Sequence, residues 1–510
     1  MLSLKMKKTL LVLGAAFALA GCWGADEVAS PGEGVFNNPN GGGSNGGGET
    51  LPPGTPAADC PAGFSNVGTA ANNTLRNCQL PSLVSGNLTV PLRAGTVYSV
   101  SGRVDIGVDR GGDAANPVGT FGSLTVEPGV RIFGSAGLDY IVVNRGSQIF
   151  AVGTETNPVV FTSRQSVEGT TGIDSIGQWG GLVILGRANI TNCPGANGTA
   201  QAAIYGTPAC QATVEGTNAL YGGNQNADNS GALRYVRVQH SGFEVLPNQE
   251  LNGITLAGVG SGTTVDFVQV HNSSDDGIEF FGGTVNAKHI VLTGNDDDNL
   301  DTDQGYNGAI QFVILVQRAA GGNRSIESSM AALGATTLAV SGADRPERRT
   351  NPLVANFTFV HSPSSSAADG ITINTGSRYR LYNGVATGAH PTAPCLDIDH
   401  TQDSTAIFRS VYLSCAVSFA PDADTIEESV TFGAGTNNTA GGVSTLTNIF
   451  VNGANETAVT AVNYSTIAAA ELPPAQRDFL TPVTWIGAVR NSSDTWYAGW
   501  TCGLPGRPAC

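Results

Sequence analysis

Apolar and polar residues alternate along this chain in short runs broken by corners rich in Gly, Asn and Asp. Leu124-Thr125-Val126-Glu127-Pro128-Gly129-Val130-Arg131-Ile132 reads as a short strand, a glycine-bearing corner and a second short strand. The same layout returns 17 residues later as Ile141-Val142-Val143-Asn144-Arg145-Gly146-Ser147-Gln148-Ile149, and Asn157-Pro158 then turns into Val159-Val160-Phe161-Thr162. Further on, Asp276-Gly277-Ile278-Glu279-Phe280-Phe281 matches Asp298-Asn299-Leu300-Asp301-Thr302-Asp303 at an offset of 22. Upstream of it, Tyr235-Val236-Arg237-Val238 matches Phe267-Val268-Gln269-Val270 at an offset of 32, the excess falling in a loop around Leu246 to Gln249. Related strands recur at Asn356 to Val360, Arg380 to Asn383, Phe408 to Leu413 and Thr447 to Val451. Long helical periodicity is absent. A drifting period with short strands and glycine corners predicts a solenoid. The fold expected is all-β, a single-stranded right-handed parallel β-helix with loop insertions and a C-terminal cap. A sandwich or propeller would show evenly spaced antiparallel hairpins, which the sequence lacks.

The first residues follow a different pattern. Lys5, Lys7 and Lys8 precede an apolar run from Thr9 to Ala20, and Leu19-Ala20-Gly21-Cys22 closes it. That order predicts a bacterial export signal over residues 1–21, too short to span a bilayer. Its ending resembles a lipobox, which implies cleavage before Cys22 and lipidation of that cysteine. Trp23 in place of Asp then implies sorting to the outer membrane; a lipid-anchored chain at the cell surface is the expectation, with periplasmic orientation left open. Residues 22–59 are rich in Gly, Asn and Pro and predict a flexible tether of roughly 35 Å root-mean-square reach. Residues 60–510 form the predicted β-helix domain.

Loss of the leader removes three lysines and no acid, so the formal charge moves from −16 to −19 and Lys288 becomes the only lysine. Such a surface repels polyanions, which excludes nucleic acid as a partner and leaves the lipid as the membrane link. Eight cysteines remain after Cys22, in four close couples. In an exported chain they predict sequential disulfides: Cys60 with Cys78, Cys193 with Cys210, Cys395 with Cys415, and Cys502 with Cys510.

Several segments together resemble an exported, functionally uncharacterised β-helix surface lipoprotein family of pectin-lyase-like shape. They are Thr125 to Val130, Asn157 to Ser163, Trp179-Gly180-Gly181-Leu182-Val183-Ile184-Leu185-Gly186, Tyr221-Gly222-Gly223 with Asp228-Asn229-Ser230-Gly231, Asp275 to Gly283, and Gly321-Gly322-Asn323-Arg324. The resemblance covers most of residues 119–396 and implies the fold, but no settled activity.

The densest chemistry is an acidic ladder over two coils: Asp275, Asp276 and Glu279, then Asp296, Asp297, Asp298, Asp301 and Asp303. With Ile278, Phe280 and Leu300 turned inward, alternation turns Glu279, Phe281, Asp301 and Asp303 outward and stacks Glu279 on Asp301 at about 5 Å. Like charges that close raise each other's pKa or recruit a cation. Calcium is the expected ligand of all eight acids, since it takes six to eight oxygens. Two other readings stand beside it: a glycosidase pair drawn from Glu279, Asp301 and Asp303, and simple turn formation by the aspartates. Polygalacturonase-like Gly-His-Gly and Arg-x-Lys motifs are missing, and Arg318, Arg324, Arg345, Arg348 and Arg349 match no lyase motif, so these arginines are expected to pair with the acidic coils or bind a loop. His240 and His271 are expected to be hydrogen-bonded members of a ladder. Trp485, Trp496, Tyr497 and Trp500 are expected to cap the open end of the core. No fingerprint of an organic cofactor occurs.

The functional expectation is a non-enzymatic binding or adhesion module for extracellular polysaccharide or a surface protein, with calcium on its acidic coils. A glycan lyase or glycoside hydrolase of pectin-lyase-like fold, and a purely structural surface protein, are the alternatives.

Overall fold

The computed structural model describes residues 54–510 apart from 192, 194–203, 248, 331–348, 364–368, 401–402 and 424. The predicted signal peptide, Cys22, most of the tether, Arg345 and Arg348 lie outside the described residues.

Among the described residues, 15 strands join one sheet and 11 short strands a second, with almost every pairing parallel. Successive coils add one strand to each sheet, which is a parallel β-helix. Ile254, Ile278, Leu300, Ile326 and Ile371 stack in the short-strand sheet, and Val236, Val268, Ile290 and Val313 in the long-strand sheet. The side chains of both stacks meet in one continuous apolar core. Glycine is required where coils come closest. A Cβ at Gly181, Gly253 or Gly277 would fall 2.2, 2.6 and 2.5 Å from a carbonyl oxygen of the next coil.

Each long strand bends at one residue of positive φ, so a coil has three faces. The bending residues stack in register: Tyr235, Phe267, His289, Phe312, Asn356, Asn383 and Ser410. Positive φ is costly for side chains such as these. Stacking offsets the cost for the first four, whose rings lie 4.4, 4.1 and 5.1 Å apart in near-parallel planes. Asn356 and Asn383 instead hold the C-terminal segment through Trp485 O, Val462 and Tyr464.

The 22- and 32-residue matches are true coil repeats, pairing Glu279 with Asp301 and Val236 with Val268. The 17-residue match is not. Leu124 pairs with Ile149 in the long-strand sheet, whereas Ile141 lies in the short-strand sheet between Val104 and Leu182. The two segments share a strand-corner-strand layout on different faces, and local composition cannot tell faces apart.

All four predicted disulfides are formed. The expected aromatic cap is corrected. The helix Thr425–Gly433 closes the end of the core, with Phe432 packed against Phe408 and Phe419. The C-terminal segment instead runs back along the outer face of the long-strand sheet. Trp500 packs edge-on to Tyr235 and Phe267, Trp496 lies against His289, and Cys502 exchanges two backbone hydrogen bonds with the Gln269 amide. Val291 and Ile314 point outward on that face, and burying them outweighs covering an end already closed by a helix.

Candidate functional site: an enclosed carboxylate centre

On the outer face of the short-strand sheet, six coils place Thr255, Glu279, Asp301, Glu327, Thr372 and Asp397 at one register position. Two residues further along, Ala257, Phe281 and Asp303 form a second column. The alternation read from sequence holds: Ile278, Phe280 and Leu300 enter the core and the acids face away from it.

At the corner before each strand, side chains link one coil to the next. Asn252 Oδ1 accepts from the Asp276 N–H at 3.2 Å, Asp276 Oδ1 from the Asp298 N–H at 3.0 Å, and Asp298 Oδ1 from the Arg324 N–H at 2.6 Å. These corner residues therefore tie each coil to the backbone of its neighbour, yet the acids among them also converge. Asp275, Asp276 and Asp297 offer oxygens within 4.8 Å of one another, and so do Asp276, Glu279 and Asp301. Asp276 belongs to both groups. Calcium–oxygen distances of about 2.3–2.6 Å put opposite donors roughly 4.6–5.2 Å apart, so each group has the span of one coordination sphere.

The outward face is not open. Between the strands Gly181–Leu185 and Gly231–Gln239 an insertion lays Ile190, Cys193, Cys210, Val214 and Tyr221 over Val183, Leu185 and Phe281. The hairpin Phe243–Leu246 with Gln249–Leu251 adds Val245 and Leu251. Arg145 pins the insertion, donating to Gln211 Oε1 and Gly222 O, each at 2.9 Å, and pairing with Asp109. Beneath this cover Glu279 is 6% exposed and Asp303 5%, while Asp301 and Glu327 are half-buried.

Burial and crowding raise the carboxyl pKa values. Burial, then Asp297, Glu250 and Glu215, pushes Asp275 up to about 8. Burial and Glu250 push Glu215 up to about 7. Asp276, Glu279, Asp298 and Asp301 stand well above the carboxylate range, first through burial and then through one another and Glu327. Glu279 Oε2 accepts from the Asn252 amide at 2.6 Å. Arg324 lies 3.1 Å from Glu327 and 4.0 Å from Asp298; burial works against its charge, but these acids outweigh it and hold its pKa up.

Of the eight predicted ligands, Asp275, Asp276, Glu279, Asp297 and Asp301 come together. Asp296 turns away to Arg318 at 3.1 Å, Asp298 bonds the Arg324 backbone, and Asp303 lies aside near Tyr221, which donates to Gln304. The expected arginine pairing is present for Arg318 and Arg324, and Arg349 bonds Asp403. His240 Nδ1 bonds Ser175 O and His271 Nδ1 bonds Thr293 Oγ1, both at 2.8 Å.

Sequence reading missed Glu215, Glu250, Asn252 and Glu327. Glu327 had a signal, since Ile326-Glu327-Ser328 repeats Leu300-Asp301-Thr302 with a longer loop. Glu215 and Glu250 had none, because they reach the ladder from the covering insertion and hairpin.

A family model described as a pectate-lyase like beta helix domain matches residues 89–501. No curated protein and no solved structure matches the chain.

Proposed function

Because the chain belongs to the pectate-lyase-like β-helix family, we propose that it is a non-enzymatic binding module of the cell surface. In this reading lipid on Cys22 holds it at the outer membrane, and calcium occupies the acidic centre and locks the insertion onto the helix. Its partner is extracellular polysaccharide or a surface protein, which the elongated pectate-lyase-like scaffold suits.

The observation that carries this reading is the pair of carboxylate triads sharing Asp276 beneath the chain's own insertion. Carboxyls this crowded and desolvated need either protons or a cation. Calcium satisfies them with oxygen ligands alone, and the Glu215 and Glu250 carboxyls beside the triads tie the insertion to the same charge. The enclosure argues against catalysis there. A glycosidase pair keeps its carboxyls about 5–9.5 Å apart with a sugar between them. Glu279, one member of the candidate pair, is buried beneath the covering insertion.

One observation favours a glycan lyase as the second reading: the Arg324 guanidinium stands beside the half-buried Glu327, the register neighbour of Asp301. An arginine next to calcium-binding acids suits proton abstraction from an acidic sugar.

Calorimetric calcium titration of the purified chain, paired with a screen for cleavage of polygalacturonate and neutral glycans in calcium, tests both. Calcium binding that raises the melting temperature, without glycan cleavage, is expected. No binding at millimolar calcium would remove the metal reading, and cleavage abolished by Arg324→Ala would establish the lyase.

A further inference from the structure

Away from the acidic centre, one buried histidine stands against a disulfide. His361 ends the strand Leu353–His361, Cys395 lies in the strand Pro394–Ile398, and Cys415 follows the strand Thr405–Ser414. The two cysteines are bonded, with Cα atoms 5.6 Å apart. A ring nitrogen of His361 and both sulfurs lie within 4.8 Å of one another.

The imidazole is held from one side only. Its Nδ1 bonds Ser325 Oγ at 2.7 Å, while Nε2 is buried without a hydrogen-bond partner among the described residues. Two glycines make room for the ring. A Cβ at Gly370 would lie 2.1 Å from Nε2, and one at Gly388 would lie 3.5 Å from the ring Cδ2 and 3.6 Å from Cys415 Sγ. The Cδ2 side of the ring and Cys415 Sγ therefore share the space beside Gly388. Leaving a buried polar nitrogen unpaired is costly, and a redox role or an ion is among the few explanations for it. Burial pushes the His361 pKa down to about 4, so the ring stays neutral near pH 7. The tautomer that donates Nδ1–H to Ser325 leaves a lone pair on Nε2, as a metal ligand with an oriented second partner requires.

We propose that Cys395, Cys415 and His361 form a redox-gated zinc site: a disulfide when oxidised, a Cys2His centre when a dithiol reductant opens it. The reductant passes two electrons and two protons to the S–S bond, leaving two thiols and becoming a disulfide itself. Zn2+ then displaces one proton from each sulfur, and Nε2 supplies the third ligand. Zinc–sulfur distances of about 2.3 Å and zinc–nitrogen distances of about 2.0–2.1 Å space tetrahedral donors roughly 3.5–3.8 Å apart, which opening of the S–S bond permits without moving the strands. Soft thiolates select zinc over calcium, so this site and the acidic centre take different ions.

The test reduces the full chain with a phosphine and titrates it with Co2+, reading thiolate-to-cobalt charge-transfer absorption. The expected result is a charge-transfer band that zinc displaces, that His361→Gln weakens at least about tenfold in affinity, and that the oxidised chain lacks. Alkylation gives a readout in the unmutated chain: zinc should slow labelling of Cys395 and Cys415 and leave Cys502 and Cys510 unaffected. The thermal transition of oxidised H361Q checks that the variant folds. Cobalt bound without thiolate absorption, an unchanged band in H361Q, no zinc protection, or a Cys395–Cys415 bond that stays closed while the other three disulfides open would each overturn the proposal.

Discussion

At the scale of the residue, Asp276 is where fold and chemistry overlap. Its Oδ1 accepts the Asp298 N–H, and its carboxylate belongs to both triads. Asp276→Asn keeps an acceptor for that N–H and removes the charge. Calcium affinity should fall by at least about tenfold, roughly 1.4 kcal/mol, while the circular dichroism of the β-helix is unchanged. Asp296→Asn, which loses only the Arg318 pair, should leave the calorimetric affinity within about twofold. Protons compete with the cation. Asp275 and Glu215 have folded pKa values raised to about 8 and about 7, above their unfolded values, so the metal-free fold holds protons that the unfolded chain gives up. Stability without calcium should therefore fall as pH rises from about 4 to about 8. Saturating calcium should reverse that trend, which melting curves at pH 5 and pH 8.5 would show. The 22-residue match made Asp276, Glu279 and Asp301 legible before any coordinates. Which neighbouring acids turn toward Arg318 or the backbone was not legible, because corner dihedrals decide it.

At the scale of the element, the capping helix Thr425–Gly433 is held by acids. Glu428 Oε1 accepts the Ile398 N–H at 2.6 Å, and its carboxyl meets Asp397, which in turn meets Asp369. Asp422 adds a further negative charge. Burial first, then these neighbours, pushes Glu428 up to about 8 and Asp397 up to about 7. Both folded values exceed the unfolded ones, so the cap should loosen as pH rises through the window from about 4 to about 8. Glu428→Gln keeps the acceptor for Ile398, can donate to Asp397, and should flatten that dependence, as hydrogen exchange at the Ile398 amide would report. The returning C-terminal segment is a second such element. Trp500→Ala would empty a fully buried indole site between that segment and the long-strand sheet, at a cost of about 3–5 kcal/mol in denaturant unfolding. A sequence shows that four aromatic residues cluster. It does not show whether they close an end or lie along a side, since both bury them.

At the scale of the whole molecule, the proposed lipid on Cys22 and a tether of roughly 35 Å would let the helix stand clear of the membrane. Cys22→Ser should move the chain from the membrane fraction to the soluble one with its thermal transition unchanged, as fractionation and a melting curve would show. By itself the sequence determined the solenoid, its strand alternation and the stacking of Glu279 on Asp301, because all three follow from a repeat whose members need the next coil to bury their apolar side. It also determined the disulfides, since the cysteines fall in close couples and pair locally. Only the tertiary structure decided that an insertion and a hairpin enclose the acidic face, that Glu215 and Glu250 face its charge, and that the C-terminal segment runs back along the sheet. The physical reason is common to all three. Contacts between a non-repeating segment and a repeating face carry no period, so packing and charge choose where that segment lies.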